Sequence, residues 1–395
     1  MSEWQTFCLK DLGKIVGGAT PPTNNPKNYG NKIAWITPKD LSTLQRRYIK
    51  KGSRNISRLG FKSCSCVLLP KHAILFSSRA PIGYVAIAEK RLCTNQGFKS
   101  IIPNKKIYFE FLYYLLKYHK DNISSIGGGT TFKEVSGATL GLFQVKIPPT
   151  YYEQQKIART LSVLDQKIEN NHKINELLHK ILELLYEQYF VRFDFLDENN
   201  KPYQTSGGKM KFSKELNRLI PNGWSVRFLN HKIVSTYQPK TISKTLLNNS
   251  YSYSVYGGGG IIGRFTEYNH EQSEFIISCR GQCGISYLTL PKSWITGNAM
   301  VIRPTKSYTS KTYLYHTIKK YKLTNYITGS VQPQITRQNL STMPILIPKR
   351  KILNKWNNIS SLLWNLIHNN MQTTQTLTAL RDFLLPLLLK QQVKP

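Results

Sequence analysis

The residue types that catalysis needs occur in the second half of this chain, but their spacing does not fit an active site. Cys279 with His270 or His316 would supply a nucleophile and a base, yet Cys279 lies among apolar, strand-like residues, which is typical of a buried thiol. Three acidic residues near one turn could bind a metal, although a solvated patch is the more ordinary interpretation: Glu267, Glu271 and Glu274. Neither group is therefore predicted to be catalytic.

Cofactor and metal motifs are also missing from the sequence. The Asn-Pro-Pro-aromatic arrangement of amino-methyltransferases is absent, since Asn25-Pro26 is followed by Lys27. The glycine run from Gly257 to Gly260 is not a phosphate loop, because no Lys-Ser/Thr follows it. The cysteines have neither zinc-ligand spacing nor a histidine cluster beside them: Cys8, Cys64, Cys66, Cys93, Cys279 and Cys283. The sequence predicts a chain that is not an enzyme by itself, holds no metal and uses no cofactor.

The charge of the chain indicates a polyanionic partner. Its formal net charge is +34. Residues 1–150 hold 23 basic against 7 acidic side chains and residues 222–349 hold 15 against 3, whereas residues 151–221 hold 11 against 10. A membrane surface would attract the same charge, but no strongly cationic amphipathic helix is present and no apolar run is long enough to cross a bilayer. We therefore expect a cytoplasmic protein that binds nucleic acid and no membrane.

A basic run in the first body is the strongest candidate for DNA contact. The segment LQRRYIKKGSRNISRLG interleaves cations with a tyrosine and small polar residues, as phosphate-contacting loops do, although a solvated charged face would look similar. With the loop after three consecutive glycines, it supplies Arg46, Arg47, Lys50, Arg54, Thr131 and Lys133. The candidates of the second body are Lys240, Lys244, Arg264, Gln332, Gln334 and Arg337. Such side chains contact phosphates or read base edges.

Two long amphipathic segments must position these candidates. Residues 153–190 place apolar residues at steps of four and three without proline or glycine, which predicts a helix of roughly 60 Å. A shift of 199 residues reproduces the pattern, including its central asparagine pair. The predicted helix-pairing residues are Leu164, Ile168, Asn171, Leu178, Leu363, Ile367, Asn370 and Leu377. If the helices are antiparallel, Asn171 and Asn370 meet at the centre and fix the register. Two unrelated helices on separate cores are the alternative.

The globular parts repeat with a similar period. Ser77-Ser78-Arg79 matches Ser278-Cys279-Arg280 at an offset of 201, and the segments that begin at Gly129 and Gly329 match at 200. Residues 251–269 have no counterpart in the first copy. A unit near 200 residues is too long for a solenoid, so the sequence predicts two copies of one domain-plus-helix module. Loops that differ on a shared scaffold suit two different binding specificities.

With these features, the chain resembles the specificity subunits of type I restriction-modification enzymes. The resemblance rests on EQQKIARTLSVLDQKIENNHKINELLHKILELLYEQYFVRFDF, the following GGKM and IPNGW, the stretch YGGGGIIG and the segment GSVQPQIT. It covers nearly the whole chain. The resemblance implies two target recognition domains that each read half of a split site in double-stranded DNA. It also implies two antiparallel helices that set their separation and dock two methyltransferase subunits, with restriction or translocase subunits as further partners. The second helix departs from the first, since it lacks QQKIA and LD.

The predicted fold class is α+β, with two similar target recognition domains joined by two long antiparallel coiled-coil helices in a pseudo-two-fold internal duplication. The predicted segments are recognition domain 1 at 1–150, a helical spacer at 151–192, a linker at 193–222, recognition domain 2 at 223–349 and a second helical spacer at 350–395. Two other functions remain open on this evidence: the recognition subunit of a type IIB or orphan methylation system, and a non-enzymatic scaffold that binds RNA.

Overall fold

A computed structural model describes residues 3–129, 133–248 and 251–395. The chain divides into two units, residues 1–172 with 373–395, and residues 173–372. Each long helix therefore contributes to both units, whereas the sequence suggested a separate spacer. Among the residues that the structure describes, no helix is both long enough and apolar enough to cross a membrane.

The first unit is built on a five-stranded sheet. The strands of the whole unit are β1 (Gln5–Cys8), β2 (Gly13–Gly17), β3 (Tyr29–Ile33), β4 (Trp35–Ile36), β5 (Tyr48–Ile49), β6 (Ile74–Phe76), β7 (Val85–Ala88), β8 (Cys93–Thr94), β9 (Lys99–Pro103) and β10 (Gln144–Ile147). Its short helices are α1 (Leu9–Leu12), α2 (Pro38–Ser42), α3 (Arg58–Lys62), α4 (Phe109–Ser125) and α5 (Gly137–Leu142). The sheet order is β2-β9-β6-β7-β5, in which only the β7–β5 pair is parallel.

Helix α4 covers the sheet because its apolar residues recur at helical spacing. It packs on β6 and β7 and buries seven side chains, among them Phe111, Tyr114 and Leu116. The core that forms includes Ile74 and Phe76 from the sheet. Two further strand pairs complete the unit: β1 with β10, which is antiparallel, and β4 with β8, which is parallel.

The second unit repeats this plan with a four-stranded sheet. Its strands are β11 (Met210–Ser213), β12 (Arg218–Pro221), β13 (Ser225–Phe228), β14 (Val234–Tyr237), β15 (Tyr253–Gly257), β16 (Gly260–Phe265), β17 (Phe275–Ser278), β18 (Ser286–Leu288), β19 (Trp294–Ile295), β20 (Ala299–Pro304), β21 (Ile327–Thr328), β22 (Gln334–Ile335) and β23 (Pro344–Ile347). Its shorter helices are α7 (Lys311–Lys320) and α8 (Arg337–Ser341); we reserve α6 and α9 for the two long helices. The sheet order is β14-β20-β17-β18.

The two units share the strand order of their main sheets and two further strand pairs. The order β2-β9-β6-β7 matches β14-β20-β17-β18, and the antiparallel pair β1–β10 matches β13–β23. The parallel pair β4–β8 matches β15–β19. This last match corrects one reading of the sequence: β15 lies within residues 251–269, so that stretch has a partial counterpart in β4. Only the first sheet has a fifth strand, β5. The predicted duplication and mixed fold class are confirmed.

The two long helices are α6 (Tyr151–Tyr186) and α9 (Arg350–Leu389). Helix α6 continues into a π-helical turn at Glu187–Val191. Within the first unit, Asn171 donates to Thr374 Oγ1 at 3.2 Å and Arg381 donates to Asp165 at 2.7 Å. Residue numbers therefore rise along α6 as they fall along α9, so these segments are antiparallel.

The same direction holds within the second unit. Asn370 donates to Asn175 Oδ1 at 2.9 Å, and the rings of Tyr186 and Trp356 lie 5.8 Å apart. Ile367 is fully buried. The other predicted pairing residues are buried or half-buried: Leu164, Ile168, Leu178, Leu363 and Leu377. Each central asparagine makes a polar contact with the opposite helix, Asn171 with Thr374 and Asn370 with Asn175. Antiparallel pairing is confirmed within each unit.

Candidate nucleic-acid interface

The basic run of the first unit forms an exposed loop on both sides of β5. Arg46, Lys50 and Arg54 are all exposed. The Arg54 guanidinium lies 3.3 Å from the centre of the Tyr29 ring, so a cation–π contact fixes it while leaving its edge available. Nothing in the spacing of the sequence indicated Tyr29 as the support. Three exposed cations within nine residues of the chain suit contact with a phosphate backbone.

Arg47 does not lie on this surface, contrary to the exposed position that its predicted DNA contact requires. Only 3% of the surface of Arg47 is exposed to solvent. The guanidinium donates to Glu169 at 3.1 Å and to Glu110 at 3.2 Å. Two carboxylates therefore neutralise this charge inside the unit. The sequence could not show this, since the two glutamates lie 122 and 63 residues away along the chain.

Each unit carries a candidate loop, and the two loops match in sequence at an offset of 200 residues. In the first, Gly128 pairs with Glu134 in a β-bridge, and Lys133, next to Glu134, is exposed. Thr131 lies outside the described residues. In the second, β21 and β22 form the equivalent hairpin, and Gly329 has a φ of +90°, a conformation that favours glycine. The remaining candidates of this loop are all exposed: Gln332, Gln334 and Arg337.

The repeated serine positions have the same surroundings in the two units, whereas the repeated arginine positions do not. Ser77 and Ser278 make the same bonds, because each hydroxyl accepts from a backbone N–H at 2.8 Å. Arg79 lies 3.5 Å from Glu134, which also pairs with Lys99 at 3.3 Å. At an offset of 200 residues, Gln334 replaces this glutamate, and its backbone forms an antiparallel β-bridge with that of Arg280. The second loop therefore presents an amide where the first presents a carboxylate.

The second unit carries its other basic candidates on loops and on the β15–β16 hairpin. Lys240 and Lys244 are exposed, and a one-turn helix begins at Lys244 after the N-cap Ser243. Arg264 is half-buried in β16 and donates to the carbonyl of Ser252. Hydrogen bonding within the hairpin thus positions Arg264.

The possible nucleophile does not meet a base in this structure. Cys279 is buried, accepts from Gln238 Nε2 at 2.9 Å, and burial raises the pKa of its thiol. His270 bonds instead to the Tyr237 hydroxyl at 2.8 Å, and Glu274 pairs with Arg303 at 2.6 Å. The buried-thiol interpretation is confirmed. Within residues 3–129, 133–248 and 251–395, no cluster of His, Cys, Asp or Glu is arranged to hold a metal.

The geometry defines a class of protein in which one chain carries two versions of the same domain. Each version has its own basic loops and contains part of both long helices. The family model for the type I restriction modification DNA specificity domain matches residues 1–180 and 221–380. The chain belongs to this family, the specificity subunits of type I restriction-modification systems.

Full-length similarity supports the assignment. The chain is 32% identical over 420 residues to the type I restriction enzyme MjaIX specificity subunit of Methanocaldococcus jannaschii, which covers 97% of this chain and 92% of that protein. It is 30% identical over 191 residues to the HindI specificity subunit of Haemophilus influenzae, over 46% of this chain and 40% of that protein. The crystal structure of the type I S subunit from M. genitalium has a TM-score of 0.61 at 18% identity and covers 98% of this chain and 96% of its own. That structure shows a shared fold.

Proposed function

We propose that this subunit selects the DNA target of a type I complex by reading one half of a split site with each unit. The observation that carries the proposal is one sheet topology present twice with different basic loops. The first unit offers Arg46, Lys50 and Arg54 beside β5, whereas the second offers the β15–β16 hairpin with Arg264. A common scaffold with divergent loops is suited to two different half-sites.

The long helices would set the distance between the half-sites. Stiff helices fix spacing better than a flexible linker, and linking two readers raises avidity when both can engage. The antiparallel contacts within each unit support this role, because they hold α6 and α9 in register. In the first unit, Arg381 pairs with Asp165 at 2.7 Å. In the second, Asn370 pairs with Asn175.

The catalytic partners in this proposal are methyltransferase subunits that dock on the helices. In the second unit, α6 exposes a second apolar stripe at spacings of three, four and three residues, beside the seam that faces α9. Its members are each between 44% and 61% exposed: Ile174, Leu177, Ile181 and Leu184. Such a stripe suits an amphipathic partner helix. An offset of 199 residues partly repeats it at Leu380 and Phe383 of α9, in the first unit.

Methylome sequencing of cells with and without the gene tests the proposal first. We expect one two-part motif to lose methylation when the gene is deleted. The purified subunit, with its methyltransferase partner, should then bind a duplex carrying both halves more tightly than duplexes carrying either half, or RNA of the same sequence. Binding should also weaken steeply with salt, because phosphate contacts release counterions.

Equal affinity for the intact site, the single halves and RNA would overturn the proposal and favour an RNA-binding scaffold. A two-part motif in cells that never show restriction of unmodified DNA would instead identify an orphan methylation system. Cleavage on both sides of the motif would identify a type IIB system.

A further inference from the structure

Strand β5, which follows Arg46 and Arg47, is fixed on one side by the sheet. Its two residues pair with β7 in parallel, Tyr48 with Ile87 and Ile49 with Ala88. The Ile87 N–H donates to the Arg47 carbonyl at 2.8 Å. Since the strand is only two residues long and lies at the edge of the sheet, these bonds alone leave it weakly held.

On its other side, β5 is fixed by carboxylates from two helices. The Arg47 backbone N–H donates to Glu169 of α6 at 2.7 Å, and its guanidinium reaches both Glu169 and Glu110 of α4. Tyr48 donates to the same Glu110 oxygen at 2.6 Å. Tyr108 donates to its other oxygen at 3.0 Å. Both residues of the Arg47-Tyr48 pair are therefore tied to helices outside the sheet.

This network lies inside the unit. The Arg47 side chain is 4% exposed, and those of Glu110 and Glu169 are each 13% exposed. Burial lowers the pKa of Arg47, but the nearby acidic groups outweigh it and raise the pKa overall. Burial together with the bond to Glu110 raises the pKa of Tyr48. A buried ion pair needs all its partners, because a lone buried charge is costly.

Among its described residues, the second unit has no counterpart of β5 and no carboxylate at the positions of Glu110 and Glu169. Helix α7 begins at Lys311 as α4 begins at Phe109, which places Thr312 at the position of Glu110. An offset of 199 residues between the long helices places His368 at the position of Glu169. Carboxylates at these two positions thus accompany β5 in the first unit, whereas Thr312 and His368 replace them in the second. This indicates that they serve the strand and not the helix packing in general.

We propose that Glu169 and Glu110 are positioning residues for DNA recognition by the first unit. They hold Arg47, and through it they fix the segment that presents Arg46 and Lys50 to the half-site. The inference rests on the proposed function. It gives the buried arginine a role other than direct contact with DNA. The bonds to Glu169 and Glu110 that hold Arg47 away from the surface also order its neighbours.

The first test measures the free protein and needs no DNA. Glu169→Gln keeps the size of the side chain and removes its charge. We expect faster amide hydrogen exchange at residues 46–50 and unchanged exchange in the sheet of the second unit. Glu183→Gln is the matched control on the same helix, since Glu183 pairs with Lys319 at 2.5 Å on the exposed surface of the second unit.

The second test uses the complex with its methyltransferase and the duplex motif found by methylome sequencing. Glu169→Gln should weaken binding about tenfold, the equivalent of roughly one lost charge-assisted contact. It should also reduce discrimination against base changes in one half of the site only. Tyr48→Phe, which removes the hydroxyl bound to Glu110, should shift the same half in the same direction by less and keeps the proposal testable if Glu169→Gln does not fold.

A loss of discrimination in both halves, or behaviour equal to that of Glu183→Gln, would overturn the inference. Unchanged exchange at residues 46–50 would do the same. Failure of the wild-type complex to prefer the two-part duplex would count against the proposed function instead, and the exchange measurement would still decide whether the carboxylates order this segment.

Discussion

Asp165 connects three helices of the first unit through its two oxygens. It lies on α6, accepts a hydrogen bond from Tyr114 of α4 at 2.6 Å and another from Arg381 of α9 at 2.7 Å. Arg381 lies 199 residues after Leu182, a fully buried residue of α6, so the duplication places a charge where the first helix has an apolar side chain. The pair explains why a charge is tolerated there, since Asp165 is 3% exposed and neutralises it.

Replacement of Asp165 with asparagine should therefore destabilise the first unit by about 2–3 kcal/mol, because Arg381 keeps its charge in a buried site and loses its buried anionic partner, retaining only the exposed Asp382. Denaturant unfolding measures the change. Asp382→Asn is the control, since Asp382 also accepts from Arg381 at 2.8 Å but is 55% exposed. We expect less than about 0.5 kcal/mol for it. Equal effects of the two substitutions would contradict the buried-pair account.

The equivalent region of the second unit contains histidines among aromatic rings. The His316 ring lies 5.3 Å from that of Trp356, and the His368 ring lies 5.8 Å from that of Trp364. Both histidines are nearly inaccessible to solvent. Burial, aided by the charge of Lys319, lowers the pKa of His316 to about 3, and burial, aided by Lys311, lowers that of His368 to about 4.

Acid should consequently destabilise the second unit. Below pH about 6.5 the unfolded chain protonates these histidines while the folded unit does not, so stability falls as the pH drops toward their folded pKa values. Each should cost about 2 kcal/mol at pH 5. In calorimetry, the melting temperature of the double variant His316→Phe and His368→Phe should fall less between pH 7 and pH 5 than that of the wild type. His231→Phe, an exposed control, should retain the wild-type slope; a double variant with that slope would refute the assignment.

At the scale of elements, the sequence predicted what local periodicity encodes. The spacing of apolar residues in α6 and the shift of 199 residues identified both long helices and the duplication. The match of β4 with β15 was missed, because two-residue strands carry too little pattern. The buried state of Arg47 was missed for a different reason: its partners come from α4 and α6, and only the tertiary fold brings them together.

The buried seam between the long helices and the exposed apolar stripe of α6 can be tested separately. Ile367 is fully buried in the seam of the second unit, so Ile367→Ala should cost about 2–4 kcal/mol of stability through lost burial and a cavity. Leu177 is 61% exposed on the other stripe, so Leu177→Ala should leave stability nearly unchanged and weaken association with the methyltransferase. Denaturant unfolding and sedimentation of the mixed subunits measure the two effects. Loss of stability without loss of association for Leu177→Ala would exclude this stripe as a docking surface.

At the scale of the whole molecule, the distribution of charge separates two tasks. Residues 1–150 and 222–349 hold most of the excess of basic residues, while residues 151–221 are nearly neutral. Long-range attraction to a polyanion is therefore concentrated in the globular parts. The charges of α6 nearly cancel, so this helix adds little to that attraction, which suits the proposed docking of protein partners on its apolar stripe. Because the helices are proposed to set the distance between half-sites, their length is the parameter to change.

The contacts of α6 with α9 define how to shorten both helices together. Asn171 pairs with Thr374 and Asn175 with Asn370, so residue numbers of opposed positions add to the same total. Deletion of residues 170–176 with residues 369–375 removes one heptad from each helix at matched positions. Seven residues correspond to about 10.5 Å of helix, or about three base pairs of DNA at roughly 3.4 Å each.

The methylated motif of the shortened variant should keep both half-sites and lose about three base pairs from its spacer, as read by methylome sequencing. A matched insertion of one heptad in each helix should lengthen the spacer by the same amount. Deletion in α6 alone is the control, because it shifts the seam against α9 and should abolish methylation rather than change the motif. A shortened variant that methylates the original motif would show that the helices do not determine the spacing, since the recognition loops that read the bases are identical in both proteins.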